Sequence, residues 1–152
     1  MYFKRFFKES AGFTLTELLV VIVIIGIIAA IAIPNLLNAI DRGKQKRTMA
    51  DLRSLGTAVE SYSIDNSYYP VAANFAALET SVEPIYIRTA PEEDGWGHTF
   101  TVSCATGEYT LCSGGKDGGH CTNDAGGAQQ SFNDSITFAN GQFVQWPEGS
   151  QQ

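Results

Sequence analysis

Histidine is nearly absent: His98 and His120 are the only two in 152 residues, and neither stands at a spacing that demands catalysis or builds a zinc finger. No nucleophile–base set is visible either, so nothing in the chain points to an enzyme. Basic residues are few, 10 Lys and Arg against 16 Asp and Glu, for a formal net charge of −6. That balance argues against nucleic acid as the default partner. The three cysteines cannot all pair within one chain. No internal repeat or low-complexity tract occurs; the Gly- and Asn-containing segment 113–128 comes nearest. The length allows one domain besides any anchor.

Charge is missing altogether from Leu18 to Ile33, where Leu, Ile, Val and Ala surround a single Gly26. About 20 apolar residues let a helix cross a hydrocarbon layer about 30 Å thick. A secretory signal peptide competes for this run, with Ala29, Ala30 and Ala32 imitating its cleavage site, but its apolar core spans only about 7–15 residues. A plain single-span anchor has the right length and leaves Glu17 unexplained. An ionisable group beside a membrane segment is costly and implies a partner. Cleavage between Gly12 and Phe13 would supply one, an α-amine four residues from Glu17 on the same helix face. That amine belongs to the same chain or to a neighbouring copy. At about 4 Å such a pair attracts by ~4 kcal/mol at an effective dielectric near 20, enough to select one register between otherwise slippery helices.

The segment KESAGFTLTELLVVIVIIGIIAAIAIPNLL resembles the N-terminus of type IV pilins and type II secretion pseudopilins. Gly12, Phe13, Thr14, Leu15, Glu17 and Pro34 stand at the motif positions, and Thr16 replaces a usually apolar residue. The resemblance covers about the first third of the chain. It implies removal of residues 1–12 by a prepilin peptidase, N-methylation of Phe13, and polymerisation through the helix, with Phe13 and Glu17 as assembly residues. Losing the leader removes three cations and one acid, taking the net charge from −6 to −8. Lys4, Arg5 and Lys8 precede the span, while Arg42, Lys44, Lys46 and Arg47 follow it, so loop charge does not decide orientation. The resemblance implies a leader in the cytoplasm, a single pass through the bacterial inner membrane and a C-terminal domain in the periplasm. The assembled filament then lies in the periplasm or at the cell surface.

Past Pro34 the pattern turns amphipathic. Met49, Leu52, Leu55, Val59 and Tyr62 recur at steps of three and four and form one stripe, with Asp51, Arg53 and Glu60 away from it. One helix from Phe13 to Ser63 is expected, with residues 13–34 as its membrane or filament-core part and 35–66 as its amphipathic part. Residues 67–152 form the globular domain. Arg42–Arg47 reads as a solvated or headgroup-facing collar, or as a contact to acidic surfaces of neighbouring subunits. The helix ends near Asp65-Asn66-Ser67. A short helix is expected over 72–80 and an extended piece over Ile85–Arg88.

From His98 the period changes to two. HTFTVSC and EYTLCS flank Ala-Thr-Gly, and SITFAN and QFVQW flank Asn140-Gly141, giving two hairpins. The expected fold class is α+β, a long N-terminal helix packed on a small antiparallel sheet, the pilin-like fold. DGWGHTF also resembles the stretch that opens the sheet in the major pseudopilin of type II secretion.

The loop between the hairpins holds Asp117, Asn123, Asp124, Asn133 and Asp134. In the major pseudopilins a loop here binds calcium. By that resemblance Asp117 and Asp134 would be ligands, helped by the carbonyls of Leu111 and Ser113, although the denser acidic run before the second Asp is missing. A solvated Gly-rich loop is the other reading. No cofactor is required. With Thr106-Gly107 as the turn, Cys104 lies opposite Tyr109 and Cys112 opposite Thr101, so the two thiols face opposite sides of the sheet. Cys112–Cys121 is then the expected disulfide and Cys104 a small core residue. Zinc held by His98, Cys112, His120 and Cys121 is the weaker alternative.

These readings converge on a filament subunit, best a major pseudopilin of a type II secretion system. A type IV pilus subunit for adhesion, motility or DNA uptake is the first alternative, and a membrane-anchored metal-binding module the second. The implied partners are further copies in a helical filament, the prepilin peptidase, an inner-membrane assembly platform, and minor pilins or pseudopilins.

Overall fold

The computed structural model describes residues 12–119, 121 and 126–149. Within them the apolar run and the amphipathic stretch form one helix, α1, Leu15–Asn66. Pro34 lies inside α1 without ending it. Its ring removes one N–H from the i→i−4 ladder, and the Asn35 side-chain amide donates to the Ile31 carbonyl at 3.1 Å, one turn back. Compact units divide between Leu37 and Asn38. The first is the apolar head of α1, in which no described residue is buried and one 18-residue window reaches a mean hydropathy of 2.9.

The second unit begins with the rest of α1. Leu52, Leu55 and Val59 are fully buried, and Met49 and Tyr62 half-buried, as their spacing dictates. They cover a sheet built from β1 (Thr101–Ala105), β2 (Glu108–Ser113), β3 (Gly127–Gln129), β4 (Ile136–Ala139) and β5 (Gln142–Pro147). Both expected hairpins form. In the first, Cys104 pairs with Tyr109 and Thr101 with Cys112. In the second, Asn140 and Gly141 take φ of 49° and 86°, the two positive values a type I′ turn requires. Strand order is β1-β2-β4-β5-β3. The fifth strand was not expected: β3 runs parallel to β5, Ala128 opposite Trp146, so the sheet is mixed rather than purely antiparallel. Gly-Ala-Gln has no β-branched or aromatic residue to announce a strand.

Val102, Cys104, Tyr109, Leu111, Ile136 and Phe138 line the face toward α1 and share the core with Leu78 and Val82. Gly56 sits where the helix meets the sheet. A Cβ there would lie 2.2 Å from the Phe138 ring, so the bare backbone is what lets that ring approach α1 so closely. Burial pushes the Cys104 thiol up to about 11, which leaves it protonated and inert.

Two local expectations shift. Ala72 pairs with Cys104 as an isolated bridge, and Asn74 caps the next helix by accepting from Ala77 N at 3.0 Å. The short helix α2 is therefore Phe75–Val82 rather than 72–80. Ile85–Arg88 is not extended: Tyr86 N and Ile87 N both donate to the Val82 carbonyl, at 2.9 and 3.3 Å, folding the chain under the end of α2.

Candidate functional site

Gly12 and Phe13 are exposed ahead of α1, Phe13 to 83%. Thr14 and Glu17 form a reciprocal cap. Glu17 N donates to Thr14 Oγ1 at 3.2 Å, while Glu17 Oε2 accepts from Thr14 N at 2.9 Å and from Thr14 Oγ1 at 2.7 Å. This is the S/T-x-x-E capping box, a role for Glu17 that the search for an ionic partner missed although Thr14-Leu15-Thr16-Glu17 spells it. Both carboxylate bonds fall on Oε2; among the described residues Oε1 takes no hydrogen bond. Cleavage after Gly12 leaves the Thr14 amide intact, so the cap and a bond from a neighbouring amine are compatible.

The loop residues come together only in part. The segment after β2 lies against the segment before β4: Lys116 N donates to the Phe132 carbonyl at 2.9 Å, and a Cβ on Gly115 would lie 2.6 Å from the Asp134 carbonyl. The two expected carboxylates do not turn toward each other's partners. Asp117 Oδ1 accepts from Gly119 N, and Asp134 Oδ2 from Ser131 N, both at 2.9 Å. Leu111 and Ser113 are buried in β2 between β1 and β4. Asn123 and Asp124 lie outside the described residues, as does His120. Among the described residues no group of three His, Cys, Asp or Glu side chains is placed to hold a metal. Calcium asks for six to eight oxygens, and the described side chains do not gather such a set. The zinc alternative fails at the same point, because Cys112 is bonded to Cys121 and His98 Nδ1 faces the Gly115 carbonyl at 3.1 Å.

What residues 94–98 build, together with Ser113 and Lys116, is a polar staple onto α1. Asp94, 2% exposed, accepts from Trp96 N at 2.8 Å, His98 N at 3.0 Å and Ser113 Oγ at 2.6 Å. Gly95 N donates to Thr48 Oγ1 at 2.9 Å, and a Cβ on Gly95 would sit 2.3 Å from the Lys44 carbonyl. Trp96 Nε1 donates to Asp41 Oδ1 at 3.1 Å, and Lys116 Nζ to Asp41 Oδ2 at 2.8 Å. The Asp-Gly-Trp-Gly stretch is thus a clamp on the first turns of α1 in this unit. Glu60, expected off the packed stripe, is also engaged: it accepts from Tyr109 Oη at 2.9 Å, and that hydroxyl accepts from Gly141 N at 2.9 Å.

Asp41 gives the clamp a pH dependence. Burial pushes its carboxyl up, but Lys116, the Trp96 indole N–H and Lys44 together hold it below its ordinary value. A depressed carboxylate stabilises the fold fully above its unfolded value, about 3.9, and loses that contribution as pH falls through the lower folded value. Asp41→Asn is therefore expected to lose about 1 kcal/mol at pH 7 in urea unfolding and to converge with the parent as pH falls through the carboxyl's lowered folded value. A difference that stays constant across that range would contradict the assignment.

Comparison with known proteins completes the site. Residues 35–130 match the family model "Type II secretion system (T2SS), protein G", and residues 8–33 match the "Prokaryotic N-terminal methylation motif". The type II secretion system core protein G of Klebsiella michiganensis is 36% identical over 130 residues, covering 77% of this chain and 91% of that one. Its counterpart in Escherichia coli K12 is 34% identical, covering 76% and 88%. That of Vibrio cholerae is 32% identical over the same shares.

Proposed function

The chain belongs to the type II secretion system protein G family, and from that premise we propose that it is a major pseudopilin, a structural subunit that polymerises into the periplasmic filament of a secretion system. The observation that carries the reading is the apolar head of α1. From Leu15 to Ile40 no described residue is buried, and Leu18–Ile33 carries no charge. That much apolar surface needs a bilayer before assembly and like helices after it. The relatives named above carry secretion names, not pilus names, which favours the pseudopilin over the pilus subunit.

On this reading the chain inserts once into the inner membrane with its sheet domain in the periplasm. A prepilin peptidase cuts between Gly12 and Phe13, and the freed Phe13 amine is methylated. The subunit then joins copies of itself and minor pseudopilins on an inner-membrane platform. Its work is mechanical, and no step calls for a catalytic residue. Sequencing the N-terminus of the chain purified from native membranes tests this directly. The expected first residue is N-methylated Phe13; a chain that begins at Met1, or past Ala29, would overturn the reading.

A further inference from the structure

We propose that the loop after β2 is fixed by the Cys112–Cys121 disulfide in place of a bound divalent cation, so that thiol oxidation sets its closure. The bridge ties the end of β2 to residue 121, nine positions on, and encloses the turn that runs past Lys116 and Asp117. Among the described residues of that ring several polar groups are matched within the chain. Gly118 N donates to the Gly115 carbonyl at 3.2 Å, Gly119 N to Asp117 Oδ1, and the Gly115 carbonyl faces His98 Nδ1. Gly114 lies so close to Gly119 that a Cβ would sit 2.2 Å from its carbonyl oxygen. Lys116 Nζ is drawn off to Asp41. Asp117 and Asp134 each accept from an amide of their own turn, and the covalent link holds the turn without drawing the two carboxylates together.

Cys112 is buried in register with Thr101 and Thr137, and Cys121 is half-buried. Cys104 does not compete, because it faces the core on the other side of the sheet. Formation is a two-electron thiol–disulfide exchange with a disulfide-bearing oxidant. A thiolate of this chain attacks the oxidant and displaces one of its sulfurs. The second thiolate then displaces the other, so the Cys112–Cys121 bond forms, the oxidant's S–S bond breaks, and its two sulfurs take up the two protons.

The test uses the full chain in detergent micelles, with calcium chloride or a chelator, oxidised or reduced. Readouts are the melting midpoint and hydrogen exchange at the Gly118 and Gly119 amides. In the oxidised chain, exchange of calcium for chelator is expected to change neither, since a bound cation would raise stability by mass action. Reduction, or Cys121→Ser, which spares the buried Cys112, is expected to lower the midpoint by on the order of 10 °C and to speed exchange at both glycines roughly tenfold or more. Calcium should not restore the reduced chain. A midpoint or exchange rate that responds to chelation in the oxidised chain, or a reduced loop that keeps its protection or regains it with calcium, would overturn the proposal.

Discussion

Replacing Glu17 with Ala is expected to leave the chain inserted and folded while cutting filament yield about a hundredfold to a thousandfold. Two separable contributions are lost. Within the chain the capping box goes, which frays the first turn of α1 without touching the apolar residues that hold it in the bilayer. Between chains the attraction expected toward the Phe13 amine goes too, and because it would set the register of otherwise slippery helices, that loss outweighs the cap in subunit addition. Glu17→Gln separates the two effects. A Gln at this position still serves a capping box, so the helix start survives while the charge is gone. Filament loss in both variants, with unchanged membrane fractionation and an unchanged melting midpoint of the sheet domain, is the expected pattern. Normal filaments from Glu17→Gln would reduce Glu17 to its cap.

Asp94→Ala is expected to cost about 3–5 kcal/mol of folding stability, the largest effect of any polar substitution in the sheet domain. Its carboxylate is almost fully buried and satisfies three donors at once. Truncation takes the acceptor from the Trp96 and His98 amides and from the Ser113 hydroxyl proton at once. The loss spreads because the same stretch carries the Gly95–Thr48 and Trp96–Asp41 bonds to α1. Asp94→Asn keeps one acceptor oxygen for the two amides and should cost about 1–2 kcal/mol. Urea unfolding reads both, as a lower midpoint at constant slope. An Ala variant within about 0.5 kcal/mol of the parent would show that the clamp holds nothing.

How much of this was legible in the sequence depended on the range of the interaction. The hairpins were, because alternation and the Asn140-Gly141 pair are local signals, and the Cys104–Tyr109 register followed from counting back from a two-residue turn. So was the stripe of Leu52, Leu55 and Val59. β3 was not, since Gly127, Ala128 and Gln129 take their strand geometry from pairing with β5 rather than from their own preference. The turn at 83–86 was hidden for a similar reason, the free carbonyl of Val82 capturing Tyr86 and Ile87. The clamp joins Asp41 to Lys116 across 75 positions, and no periodicity records that. Asp-Gly-Trp-Gly was visible only as a resemblance; its physical content is a buried acid, a glycine pressed on a helix carbonyl and an indole donor. Asp117 lies in the turn after β2 and Asp134 in the turn before β4. Spacing alone did not reveal that each would accept from an amide of its own turn.

In the assembled filament the exposed head of α1 is expected to be buried by copies of itself, with one subunit's Glu17 against the next subunit's amine. Electron cryomicroscopy of the assembled filament at side-chain detail tests it most directly. The expected map bundles the helices from Phe13 to about Ile40 at the axis, with each Glu17 carboxylate within about 4 Å of a neighbouring Phe13 nitrogen. A map that leaves those helices on the outside, or Glu17 facing water, would contradict it.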